Sequence, residues 1–240
     1  MNILVTGASR GVGLEICRTL LAEGHHVYGV SRTNSFEYQA LQTIYKDTAF
    51  FRSVDLSNST LAWKEIFKSY ITNVTPLHAF VNNAAEAYDD IITNINLDRL
   101  TQMFQTNVFT PFLLTKYAIR NMLVNKIEGS IIHISSISAH TGYKGLAMYA
   151  SSKGALEAFS KNTAREWGEK GIRSNVVVPG FMETQMSASL DNDTKNRIYN
   201  RTSLKKPTDI VSVAQTVAFL ISEKSKSITG QNLHVDSGTI

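Results

Sequence analysis

The chain has 240 residues, 43% of them hydrophobic and 18% charged, with a net charge of +4 and an isoelectric point near 9.1. That balance excludes a disordered chain. The single cysteine, Cys17, excludes an internal disulfide and a cysteine-rich metal site, and it fits a reducing compartment. The basic residues are scattered and no apolar run reaches the length of about 18 residues that a membrane span needs, so neither nucleic acid nor a membrane is an expected partner.

Short apolar runs rich in β-branched residues lie at 3–6, 27–30, 50–54, 78–81, 130–134, 174–178 and 231–235. The first passes at once into a glycine-rich turn, so no leader peptide is expected ahead of it. A helix over 13–23 puts Leu14, Cys17, Leu20 and Leu21 on one face. A second helix carries Leu61, Ile66 and Phe67 and opens after Ser57 as its cap. Long helices are expected over 97–123 and 148–167, and another over 208–221, after Pro207. Strands alternating with helices imply βαβ units. The reading is one α/β domain over 1–240, a doubly wound seven-stranded parallel sheet with helices on both faces. The unbroken run Val176-Val177-Val178 fits a strand buried on both sides. Such folds bind ligands at the carboxyl ends of their strands, so functional residues should follow each apolar run.

They do. After the first run comes Thr6-Gly7-Ala8-Ser9-Arg10-Gly11-Val12-Gly13, then a helix. This is either a plain turn or a dinucleotide cradle, in which a helix N-terminus presents free N–H groups to a pyrophosphate. The second run ends at Val30-Ser31-Arg32, and no acid follows before Glu37. Arg10 and Arg32 are either solvated or flank a 2′-phosphate, which would select NADP(H) over NAD(H). Asp55 closes the third run, as an adenine contact or as a turn or cap residue. Asn82-Asn83-Ala84-Ala85, Ser136 and Pro179-Gly180 follow later runs. Asn107 sits inside an expected helix, and Tyr149 and Lys153 share one helix face at i and i+4. His133 reads as a core residue.

At these residues the sequence resembles the short-chain dehydrogenase/reductase family along essentially its whole length. The T-G-x3-G-x-G turn, N-N-A, the lone Asn, the Ser, Y-x3-K and P-G stand in family order. The stretches 176–184 and 228–236 look most like bacterial 3-oxoacyl-[acyl-carrier-protein] reductases. The resemblance implies a cytoplasmic, homotetrameric Rossmann-fold reductase. Its tetramer would pack through the helices of Asn107 and Tyr149. The implied cofactor is NADP(H), with no metal.

By resemblance, Ser136 binds the substrate carbonyl and Tyr149 donates the proton. Lys153 favours the phenolate and holds the nicotinamide ribose, and Asn107 holds a relay water. Gly7, Ser9, Arg10, Gly11, Val12, Gly13, Arg32, Asp55 and Leu56 would surround the adenosine and phosphates. Asn83, Ala84, Pro179, Gly180, Met182 and Thr184 would surround the nicotinamide half. At about 4 Å and an effective dielectric near 20, Lys153 would lower the phenol by about 3 pH units before desolvation. Ser135 and Ser138 are decoys by spacing.

Residues 183–203 read as a polar substrate lid with Met186 and Leu190 facing the pocket. Lys126, Lys170 and Arg173 read either as solvated charges or as a basic rim for an acyl carrier protein. The expected substrate is a 3-oxoacyl thioester of acyl carrier protein or coenzyme A. The alternatives are another ketone, such as a sugar, polyol or secondary metabolite, and a cofactor-binding regulator without turnover. Two departures from the family pattern stand out: Ala85, where glycine is usual and a methyl would crowd the turn, and Ser237, where a glycine pair is expected.

Overall fold

Every expected strand forms within one residue of its expected ends: β1 (Asn2–Thr6), β2 (His26–Ser31), β3 (Ala49–Ser53), β4 (Ala79–Asn82), β5 (Ser130–Ile134), β6 (Arg173–Pro179) and β7 (Asn232–Val235). The computed structural model describes residues 1–183 and 191–240. The strands are all parallel, in the order β3-β2-β1-β4-β5-β6-β7. Strand order reverses between β1 and β4, so the switch point lies at the carboxyl ends of those two strands.

The helices are α1 (Gly11–Ala22), α2 (Phe36–Ile44), α3 (Ser59–Phe67), α4 (Leu97–Phe104), α5 (Thr110–Val124), α6 (Ala147–Trp167), α7 (Asn192–Arg201) and α8 (Ile210–Ile221). Successive side chains of each strand enter opposite cores. Ile3 and Val5 pack with Leu14, Cys17, Leu20 and Leu21 of α1 and Val213 and Val217 of α8. Leu4 and Phe80 pack with Ile66 of α3 and Leu114 and Met122 of α5. The sheet is thus covered on both faces. None of the described helices is long and apolar enough to cross a membrane.

Four expectations need correction. Asn58, not Ser57, caps α3, accepting the Leu61 N–H at 3.0 Å; Ser57 instead donates its own N–H to Asp55. Because α3 starts at Ser59, it buries Ala62 and Ile66, and Leu61 is 56% exposed. The helix expected over 97–123 is interrupted by a π-helical turn, Gln105–Phe109. Pro111 follows, and with no N–H it cannot serve the Asn107 carbonyl four residues earlier. The helix expected from Thr208 begins at Ile210, because the Asp209 carboxylate caps it through the N–H groups of Val211 and Ser212. Helix α2 escaped sequence reading because Phe36 and Ile44 are exposed and only Tyr38 and Leu41 point inward.

Candidate active site

The turn after β1 is built around close backbone contact. A Cβ on Gly13 would lie 2.1 Å from the Gly7 carbonyl oxygen and 2.4 Å from Asn83 Nδ2. Gly7, at φ +68°, leaves no room for a Cβ against Asn83 and Ala84. Asn83 donates its amide to the carbonyls of Thr6 (3.0 Å) and Gly7 (3.2 Å), while the Thr6 hydroxyl accepts from the N–H groups of Asn83 and Ala84. This clasp joins the ends of β1 and β4 across the switch point. The tight approach to Gly7 is thus made by Asn83 and Ala84.

Among the described residues no side chain caps α1. Its first N–H groups, at Gly11, Val12 and Gly13, are therefore placed for an anion. The Ser9 N–H donates to the Ser31 hydroxyl at 3.2 Å and the Ser9 carbonyl accepts from Ser35 at 2.6 Å, tying this turn to the end of β2 where Arg32 stands exposed. Asp55 accepts the Ser57 N–H at 2.9 Å, which with burial opposing and Arg32 helping holds its carboxyl below the usual range. This bond shows Asp55 acting as a turn residue. Leu56 is buried, its carbonyl accepting from Thr110 at 2.8 Å. The glycine-lined cradle and uncapped helix start fit a dinucleotide pyrophosphate.

On the other side of the switch point, β5 runs into Ser135 and Ser136. Extended backbone there sends the two side chains to opposite sides. Ser135 is bound away, donating to Glu157 at 2.5 Å, and Ser138 is buried. Ser136 is partly accessible, and among the described residues its hydroxyl accepts only the local Ser138 N–H, at 3.2 Å. Lys153 on α6 is 2% exposed and donates to the Ile134 carbonyl at 2.8 Å, with its ammonium 5.6 Å from the centre of the Tyr149 ring.

The expected acidification of Tyr149 is not what this state shows. Burial raises the phenol well above its ordinary value, and the Asp89 carboxylate pushes the same way. Desolvation of the phenol outweighs the Coulombic pull expected from Lys153. Lys153 itself is pushed down from 10.5 to about 8 by burial. Between those values the unfolded chain binds more protons than the folded one, so this group's contribution to stability rises with pH. Below about pH 8 the burial penalty is fully present, about 3 kcal/mol. The stability advantage of Lys153→Met over wild type should therefore shrink by about that amount between pH 7 and pH 10.5. Calorimetry across this range checks it, and a pH-independent difference contradicts it.

Asn107 is 1% exposed, turned inward by the π-helical turn. Its Oδ1 accepts the Glu86 N–H and its Nδ2 donates to the Glu86 carbonyl, both at 2.8 Å, and to Ser152 at 3.1 Å. It thus pins the loop after Asn83 to α6. Further along that loop, Asp90 donates its N–H to the Gly145 carbonyl and Tyr88 packs with Met148 and Tyr149. Glu86, Asp89 and Ser152 were missed by sequence reading, since only tertiary contacts across more than 20 residues reveal them.

Pro179 ends β6. Gly180 sits where a Cβ would meet Thr208 and Asp236, and Met182 packs partly buried on the α1–α8 core. Thr184, Met186 and Leu190 lie outside the described residues. The rest of the expected lid holds α7, whose Tyr199 donates to Glu183 at 2.6 Å. His133 is fully buried and neutral, pushed down to about 3 by burial, with Nδ1 3.2 Å from the Asn82 amide. Its Nε2 has no hydrogen-bond partner among the described residues, although its ring meets Phe159 edge-on, so it is a core residue but an incompletely satisfied one. Arg173 belongs to no rim: it donates to the carbonyls of Leu220 and Ile228 and fastens α8. Ser237 takes φ 58°, a left-handed conformation that suits the glycine expected there.

The parallel sheet, its switch-point cleft and the glycine cradle define a Rossmann-type α/β protein. The chain belongs to the short-chain dehydrogenase/reductase family, with the family model described as Enoyl-(Acyl carrier protein) reductase matching residues 7–239. It is an oxidoreductase of the kind acting on CH–OH and C=O groups. It is similar to L-xylulose reductase of Caenorhabditis elegans, with 32% identity across 99% of this chain and 94% of that one. It is similar also to 3-oxoacyl-[acyl-carrier-protein] reductase FabG of Salmonella typhimurium, with 34% identity across 98% and 95%. The solved structure titled "ElxO with NADP Bound" superposes with a TM-score of 0.88 at 27% identity, covering 99% of this chain and 98% of that one. A 4-hydroxyisoleucine dehydrogenase complexed with NADH shares the fold at a TM-score of 0.91 and 24% identity, covering 99% and 98%.

Proposed function

We propose that the protein is a cytoplasmic NADPH-dependent carbonyl reductase that converts a 3-oxoacyl thioester of acyl carrier protein or coenzyme A to the 3-hydroxyacyl product. Residues 1–240 act as one NADP(H)-binding domain. The observation that carries this reading is the buried Lys153 ammonium, fixed on the Ile134 carbonyl and 5.6 Å from the Tyr149 ring, at the strand ends beside the cradle. The likeness to FabG over nearly the whole chain supports the thioester.

Bound NADPH would supply the hydride. Gly7, Ser9, Arg10, Gly11, Val12 and Gly13 would hold its phosphates, and Arg32, Asp55 and Leu56 would border the adenosine. Asn83, Ala84, Pro179, Gly180 and Met182 would border the nicotinamide half, and Thr184 is assigned there by resemblance alone. Ser136 donates a hydrogen bond to the substrate carbonyl oxygen, and Tyr149 gives that oxygen its proton. Lys153 supplies the positive charge that draws the phenol down from its raised value, and it hydrogen-bonds the ribose. The Asn107 carbonyl, without an N–H from Pro111, holds the water that relays protons to Lys153.

The absence of an acid after β2, with exposed Arg32 there, supports NADP(H) over NAD(H). Arg32→Asp is expected to cut the NADPH-to-NADH preference in kcat/KM by about 100-fold, through a lost phosphate pairing and a new repulsion. An unchanged ratio places the selectivity elsewhere. The exposed Leu97 and Phe109 support assembly into a homotetramer through the helices of Asn107 and Tyr149. Lys126 and Lys170, which line one groove, are the remaining candidates for carrier-protein contact.

The likeness to L-xylulose reductase favours a second reading, the same chemistry on a sugar ketone. NADPH oxidation across acyl thioesters, sugars and simple ketones, with NADH as control, tests both. Highest kcat/KM on acetoacetyl-coenzyme A supports the first, highest on a ketose the second, and no turnover on any rejects the reductase reading.

A further inference from the structure

Glu157 lies on α6 one helical turn beyond Lys153, and the chemistry above leaves it without a task. It is 8% exposed, and its carboxylate gathers donors from separate parts of the chain. Oε1 accepts from the Ser135 hydroxyl at 2.5 Å, at the end of β5. His140 Nε2, from the turn after Ser136, lies 2.9 Å from Oε2. Asn232 on β7 donates to Oε2 at 2.7 Å. Hydrogen bonds to a charged acceptor, made where water is largely excluded, are stronger than neutral ones.

Two of these anchors flank Ser136. Ser135 precedes it, and His140 ends the short helical turn Ile137–Ala139 that Ser136 opens. Ser135 and Ser136 point to opposite sides of extended backbone, so fixing one fixes the aim of the other. Among the described residues the Ser136 hydroxyl has only the local bond from Ser138, at 3.2 Å. We infer that Glu157 is a positioning residue, whose carboxylate clamps Ser135 and His140 to α6 and so sets the Ser136 hydroxyl relative to Tyr149 and Lys153 on the same helix. This rests on the reductase reading for its effect on turnover, but the clamp itself can be observed without turnover.

The test uses the full chain with NADPH and the best ketone of the panel; wild-type turnover there judges the reductase reading alone. Because misplacing a reacting group by about 1 Å can cost two orders of magnitude, Glu157→Leu should lower kcat about 30-fold. The NADPH dissociation constant should stay within about twofold, since Glu157 lies off the cradle. Glu157→Gln combined with Asn232→Asp returns a carboxylate to the pair and should recover kcat to within about threefold of wild type. Ser135→Ala removes one donor with little risk to folding and should cost about tenfold in kcat alone. Backbone amide exchange over residues 135–141 should quicken about tenfold in Glu157→Leu, with or without turnover. If Glu157→Leu does not fold, Ser135→Ala decides. A loss under threefold in the folded variant, a loss that the double variant leaves unrepaired, or unchanged exchange overturns the inference.

Discussion

Tyr149→Phe is expected to lower kcat for ketone reduction about 1,000-fold while leaving the NADPH dissociation constant within about twofold, because the ring and its packing survive and only the donor proton is lost. The ring packs beside Tyr88 and Met148, and a phenyl group fills the same space. Steady-state kinetics paired with NADPH fluorescence titration separate the two quantities. A phenylalanine variant with wild-type turnover removes Tyr149 from the chemistry; equal loss of binding and turnover makes it a structural residue instead.

Gly13→Ala has the second largest expected effect, and it strikes binding. The added Cβ would lie 2.1 Å from the Gly7 carbonyl oxygen and 2.4 Å from Asn83 Nδ2. Neither is the free end of a flexible chain, because Asn83 is held by the Thr6 and Gly7 carbonyls and Gly7 by its own turn. The turn must open, carrying the start of α1 away from the phosphates. Overpacking of this kind costs about 1–3 kcal/mol, or roughly 2–12 °C in Tm for a chain of this size. NADPH affinity should fall at least about 100-fold, equivalent to about 2.8 kcal/mol. Differential scanning fluorimetry with and without NADPH reads both, and a variant that keeps the full cofactor-induced rise in Tm refutes the cradle.

The sheet was legible because its inner strands are buried on both faces, leaving compact β-branched runs such as Val176-Val177-Val178. The cradle was legible because its glycines are adjacent in sequence. Elements that answer to tertiary context were not. Helix α2 shows its outer face more apolar than its period allows, and the π-helical turn at Asn107 follows from an inward polar side chain and a proline four residues later. Tyr149 and Lys153 could be read as a pair from spacing, but the sign of the Tyr149 shift depends on burial, which spacing does not report. Glu157 was invisible for a related reason: its partners Ser135, His140 and Asn232 lie 17 to 75 residues away. Arg173 looked like a surface charge until its carbonyl partners were placed around it.

The raised phenol has a consequence for catalysis: Tyr149 can exchange its proton near neutral pH only if loading the cleft brings it down. Titrating the protein labelled with ¹³C at the tyrosine ζ carbon, with Tyr149→Phe for assignment, measures this directly. The Tyr149 resonance should titrate above 10 in the free protein and fall below it with NADP⁺ bound. A phenol that stays above 10 in both states would contradict the role given to Lys153.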